Sequence, residues 1–172
     1  MPTDLISIIA NLAIALSFIV AIVFGLAQVK AAARDRKERL TLETIHNFQT
    51  REFAELINFI SSRKGPANRE EMQALPKEEQ ISYIQFGQEM ESLGILVAEG
   101  LINIDLVDKT LGSFVTGCWE KYKPMFTDMR ENLPDPFLGE YFQWLAERID
   151  ERMKVCPREP FYKNGKLRKG SR

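Results

Sequence analysis

No charged side chain occurs between Leu5 and Val29, and this apolar run ends at Lys30, the first of a dense group of Lys and Arg. As a helix rising about 1.5 Å per residue it extends roughly 37 Å, more than the ~30 Å hydrocarbon core of a bilayer. The pattern predicts a transmembrane helix over residues 1–29 that crosses with some tilt. A cleaved secretory signal fits poorly: Asp4 stands where a positive n-region belongs, the core is too long, and Lys30 precedes the small residues Ala31, Ala32 and Ala33. Lys30, Arg34, Arg36, Lys37 and Arg39 all come after the span, whereas only the amino group and Asp4 precede it. Basic residues are retained on the cytoplasmic side, so the N-terminus is expected outside and the remainder inside, with these five side chains at the lipid headgroups.

Within the span Ala13, Ser17, Ala21 and Gly25 recur at every fourth position, along one slowly drifting helix face. Small side chains there let a second helix approach closely, although Ala and Ser are also common in any spanning helix. Asn11 and Gln28 are polar residues of the run; Gln28 reaches the interface, and Asn11 lies deep enough to want a partner.

Beyond the span the chain is long enough for one domain with a modest core. The net charge of −1 hides a partition. Residues 30–39 carry five basic and two acidic side chains, residues 40–153 eleven and twenty, and residues 154–172 seven and one. An acidic body thus lies between two basic flanks. The tail, with Lys163, Lys166, Arg168, Lys169 and Arg172, is expected either solvated and disordered, folded onto the acidic body, or held at anionic lipid. Nucleic acid is not expected as a partner, because the body would repel phosphate. Cys118 and Cys156 are too few and too far apart for a disulfide framework or a CxxC site, and Cys118 falls on an apolar helical stripe.

The body reads as helices throughout, which gives an all-α chain: a spanning helix over 1–29, a basic juxtamembrane stalk over 30–49, an acidic helical bundle over 50–156, and a basic tail over 157–172. The first helix runs on through Ala31–His46, good helix formers without Gly or Pro, as a solvated stalk. Thr50 caps a helix with Phe53, Leu56, Ile57 and Ile60 on its buried face, ended by Gly65-Pro66. Asn68 and Glu71 form a capping pair for one short turn before Pro76. Tyr83, Phe86, Met90, Leu93, Val97 and Leu101 then recur at helical spacing, with Gly100 as terminator, and Gly87 and Gly94 on one side hint at a close neighbour. Asn103 or Asp105 opens a helix with Val107, Leu111, Phe114, Cys118 and Tyr122 on one face, running to Pro124 or soon after. Asp135-Pro136 starts the last helix, striped by Phe137, Tyr141, Trp144, Leu145 and Ile149. Amphipathic helices on short loops make a compact bundle.

The segments Met90–Val97, Gly100-Leu101-Ile102 and Asp105-Leu106-Val107, then Trp119, Arg130 and Tyr141–Leu145, give the chain a recognisable outline. It resembles an uncharacterised bacterial family designated domain of unknown function 4760. The resemblance covers most of the chain through loose, mostly apolar motifs, and implies one N-terminal span, a charged stalk and a helical domain at a bacterial inner membrane. It implies no activity. Glu91, Trp119 and Arg130 match polar or bulky points of the pattern; the expectation is that Glu91 and Arg130 pair across the bundle while Trp119 fills its core, a pairing that specifies packing more than it stabilises.

The search for catalytic groups is short. His46 is the sole histidine, so Glu43-Thr44-Ile45-His46 is half of a di-metal motif whose second half only another copy would supply, and the stalk offers no apolar shell. No phosphate loop, nucleophile elbow or dinucleotide fingerprint occurs, and Ser61, Ser62 and Ser113 have no histidine in prospect. No cofactor, metal or small-molecule substrate is expected. The reading is a non-enzymatic single-pass membrane protein acting through other membrane subunits or itself, as accessory subunit or self-associating scaffold. The alternative is a membrane-anchored enzyme or ligand sensor with a pocket between bundle helices, using Glu89, Glu91, Asp105 or Asp108.

Overall fold

The computed structural model describes residues 2–132 and 135–164, and these form seven helical segments and no strand. They are α1 (Pro2–Asn47), α2 (Arg51–Ser62), α3 (Arg69–Ala74), α4 (Lys77–Ala98), α5 (Ile104–Asn132), α6 (Glu140–Val155) and the single turn α7 (Phe161–Asn164). The all-α architecture is as the periodicity predicts. α4, α5 and α6 form the central packing unit, with α6 against both others; α2 lies on α4, while α3 and the end of α1 rest on α5.

Local capping chemistry sets most boundaries. The Thr50 side chain accepts the N–H of Phe53 at 3.2 Å, and the Asn68 Oδ1 accepts that of Glu71 at 2.8 Å. Gly100, at φ +68°, ends α4: its N–H donates to the carbonyl of Val97, and that of Leu101 to the carbonyl of Leu96, both at 3.0 Å. This reversal turns Leu101 outward, 48% exposed, and brings Ile102 into the core instead, so the predicted apolar stripe is wrong at its last residue.

The core is aromatic. Tyr122 is wholly buried, with ring centroids 5.6–5.7 Å from those of Tyr83, Phe86, Phe126 and Phe142, and its hydroxyl donates to the carbonyl of Tyr83 at 2.9 Å. Aromatic pairs at such spacings contribute beyond the area they bury. Phe53, Leu56 and Ile60 of α2, Val107, Leu111 and Val115 of α5, and Leu145 and Ile149 of α6 are among the aliphatic and aromatic side chains packed around it.

Other expectations need correction. The stalk is not solvated to its end: Thr41, Thr44 and Ile45 are buried, and the Thr41 Oγ1 accepts the N–H of Asn103 at 3.0 Å while donating to the carbonyl of Lys37 at 2.7 Å. α5 does not stop near Pro124 but continues to Asn132. Pro124 lies on the exposed side, as does Glu120, so the one carbonyl that loses its intrahelical donor faces water. α2 ends at Ser62, ahead of Gly65-Pro66, because the Lys121 Nζ donates to the carbonyls of Ile60, Ser61 and Arg63 at 3.0, 2.6 and 2.8 Å. The last long helix begins at Glu140 rather than at Asp135-Pro136; the Asp135 Oδ1 accepts the N–H of Phe137 at 3.1 Å in a turn that leaves Phe137 exposed. Phe114 is likewise 43% exposed. Within the segment expected as tail, Phe161–Asn164 is helical, and Lys166, Arg168, Lys169 and Arg172 lie outside the described residues.

Candidate functional site

α1 contains the one helix among the described residues that is long and apolar enough to cross a membrane, with a mean hydropathy of 2.7 in its most apolar window. The bundle covers none of this segment: from Leu5 to Val29 every residue is exposed except Gly25, which is half-buried. Ala13, Ser17, Ala21 and Gly25 share this uncovered length. The Ser17 Oγ donates to the carbonyl of Ala13 at 2.8 Å, so the hydroxyl is satisfied within the helix and presents little polarity outward. A Cβ at Gly25 would meet nothing within 4 Å. Beyond the apolar length Lys30, Arg34, Arg36, Lys37 and Arg39 are all exposed, and the Arg34 Nε pairs with Glu38 one turn on at 3.0 Å.

Glu91 and Arg130 are brought to the same part of the bundle but do not pair. The N-cap residue of α6 is Gly139, φ +69°, which has no side chain to cap the helix. Glu91, projecting from α4, takes that role: its two carboxylate oxygens accept the N–H groups of Tyr141 at 3.2 Å and Phe142 at 2.8 Å. A carboxylate there satisfies two orphan donors and faces the positive end of the helix dipole. Arg130 holds the preceding turn, its Nε donating to the carbonyl of Leu138 at 2.7 Å and its Nη1 to the Gln143 Oε1 at 2.5 Å. Its Nη2 is buried without a partner among the described residues. The two charges are therefore spent on separate groups around the start of α6 and not on each other. Trp119 fills the core as expected, 4% exposed, its ring 5.2 Å from Phe142 and 6.0 Å from Phe126.

Of the acidic residues suggested for an inter-helix pocket, Asp105 and Asp108 share one cleft with the end of α6, whereas Glu91 and Glu89 border two others. Glu89 accepts from Gln85 at 3.2 Å; Asp105 pairs with Arg152, and Asp108 lies 4.0 Å from Arg158, both at the start of α5. Glu43 and His46 are exposed. Among the described residues no three His, Cys, Asp or Glu side chains are grouped to hold a metal ion. Burial pushes the Cys118 thiol up to about 11, with Lys121 opposing weakly, so it is an inert core group, whereas Cys156 is exposed. Tyr83 and Tyr122 are also held above the usual phenol value, chiefly by burial.

Sequence reasoning missed Lys121 and Gln143. Their partners lie on other helices or depend on the turn that places them, and no local spacing announces either.

A protein-family description, Domain of unknown function (DUF4760), matches residues 11–149, a range that takes in both the apolar part of α1 and the bundle through most of α6. No curated protein and no solved structure matches the chain.

Proposed function

The chain belongs to the DUF4760 family, whose description assigns no activity, and from its own surfaces we propose that it is a non-enzymatic, single-span membrane protein acting through protein–protein contact. Its role is that of an accessory subunit of a larger membrane complex or of a self-associating scaffold. The observation that carries this reading is the uncovered length of α1: the bundle closes its own core and leaves an apolar helix surface from Leu5 to Val29 that only lipid or another apolar helix can cover. Ala13, Ser17, Ala21 and Gly25 are the positions at which a neighbouring helix packs. The excess of basic residues after the span favours the N-terminus outside, the bundle in the cytoplasm, and Lys30, Arg34, Arg36, Lys37 and Arg39 at the headgroups, while the bacterial inner membrane is what the family resemblance implies. The alternative of an enzyme or ligand sensor has two clefts in its favour, one beside Glu91 and one lined by Asp105 and Asp108, but the carboxylates of the second already face Arg152 and Arg158.

The test is mass spectrometry of the complex gently solubilised from its native membrane, with metal analysis on the same sample and a parallel Ala21→Leu, Gly25→Leu chain. A stoichiometric partner or defined homo-oligomer, weakened in the double variant, is expected. A lone wild-type monomer, an assembly indifferent to both substitutions, or a bound metal would overturn the reading.

A further inference from the structure

Between α3, α4, α5 and the Leu138–Gly139 turn lies an open-mouthed cavity of about 360 Å³. Ligand sites begin at ~300 Å³, and an apolar cavity of ~150 Å³ already takes a benzene-sized guest. Its wall is formed largely by Met72, Met125, Met129, Ile84, Tyr122 and Phe126. Thioethers on flexible stems are polarisable and adapt to the shape of what they touch.

A glycine holds this space open. Gly87 sits inside α4, where glycine costs about 1 kcal/mol relative to alanine. No close approach of backbone requires it: a Cβ there would rest 3.6 Å from the Phe126 Cζ and 3.8 Å from the Tyr122 Cε1, in ordinary contact. Gly94, two turns on, is different, because a Cβ would collide with the backbone carbonyl of Tyr141. Packing thus accounts for Gly94 and not for Gly87, and what the missing side chain preserves at Gly87 is volume.

Three of the polar side chains around the cavity already have partners, and Gln73 and Gln88 border it without a side-chain hydrogen bond among the described residues. Both Glu91 oxygens are spent on α6, the Tyr122 hydroxyl on the carbonyl of Tyr83, and the Gln80 amide on the carbonyls of Gln73 and Leu75 at 3.1 and 2.8 Å. Arg69 borders the mouth but is exposed to water. We propose that this cavity is a binding site for a small, uncharged, predominantly apolar molecule of the size and polarity of a medium-chain alcohol. The site is independent of whatever covers α1.

The test uses the full chain in lipid nanodiscs with 13C-methyl methionine, titrated with 1-decanol and, separately, with decanoate. The methyl resonances of Met72, Met125 and Met129 are expected to move saturably with decanol while that of Met153, on the far surface of α6, stays put. Decanoate binds at least ten-fold more weakly, because its charge gains nothing from the wall. Gly87→Leu fills the space and abolishes the response; Gly87→Ala, which fits without displacement, weakens it at least three-fold and serves if the leucine variant does not fold. No saturable shift, equal movement of Met153, a response that survives whichever variant folds, or decanoate binding as tightly as decanol would each overturn the proposal.

Discussion

Replacing Glu91 by alanine removes two charge-assisted bonds, 3.2 Å to the Tyr141 N–H and 2.8 Å to the Phe142 N–H, at the start of α6. Hydrogen bonds to charged groups contribute about 1.5–3 kcal/mol each, and loss of an N-cap alone costs about 0.5–2 kcal/mol. Water entering from the adjacent cavity re-solvates part of what is lost, so the expected destabilisation is about 2–4 kcal/mol, roughly a 30- to 700-fold change in the unfolding constant at about 1.4 kcal/mol per decade. Glu91→Gln keeps one acceptor oxygen for one of the two donors and is expected to cost about half as much. Urea titration of the full chain in nanodiscs, followed by the fluorescence of Trp119 and Trp144, measures both. Amide exchange at Tyr141 and Phe142 locates the loss. A Glu91→Ala chain within about 0.5 kcal/mol of wild type refutes the capping role. Gln as damaging as Ala refutes it differently, by making the lost group a charge facing a cation rather than an acceptor facing two N–H groups.

The two glycines of α4 respond with opposite signs: Gly94→Ala forces α6 away and loses about 2–3 kcal/mol, while Gly87→Ala gains about 0.5–1 kcal/mol, both by the same urea assay. At pH 8 a maleimide adds once to the native chain, at Cys156, and a second time only after denaturation, because the Cys118 thiol is buried and held up to about 11; intact mass counts the adducts, and two rapid native additions would refute it. Stability is also expected to fall at high pH. Cys118, Tyr83 and Tyr122 all resist ionisation in the fold, so the unfolded chain gives up these protons first; their stabilising effect is intact below about pH 8.5 and declines as pH rises past 9 toward 11. The decline should be shallower in Cys118→Ser, read from urea midpoints across that range.

The parts of this fold legible in the sequence are those written within one helical turn. Thr50 and Phe53, Asn68 and Glu71, and Gly100 with the carbonyls just before it make their contacts across a few residues, so composition and spacing announce them. The stripes on α4 and α5 are readable because burial repeats with the helix period, and the apolar run of α1 is readable from its composition alone. Glu91 and Arg130 stand out in the sequence, yet their roles do not, because opposite charges suggest each other and backbone N–H groups leave no trace in a sequence. The start of α6 is hidden because Asp-Pro serves a turn as well as a helix N-terminus, and the choice falls to Gly139 and to an acceptor fifty residues away. Lys121 ends α2 from a comparable distance.

Between Val29 and Asn47 α1 has neither glycine nor proline, and its end is fastened to α5 through buried Thr41 and the backbone of Asn103. The helix is therefore a drive shaft rather than a tether. With α1 across a bilayer as proposed, its azimuth dictates which flank of the bundle is turned toward a neighbour, and one residue inserted near Ala32 would swing every surface of the body by about 100° relative to the apolar segment while moving it only about 1.5 Å along the axis.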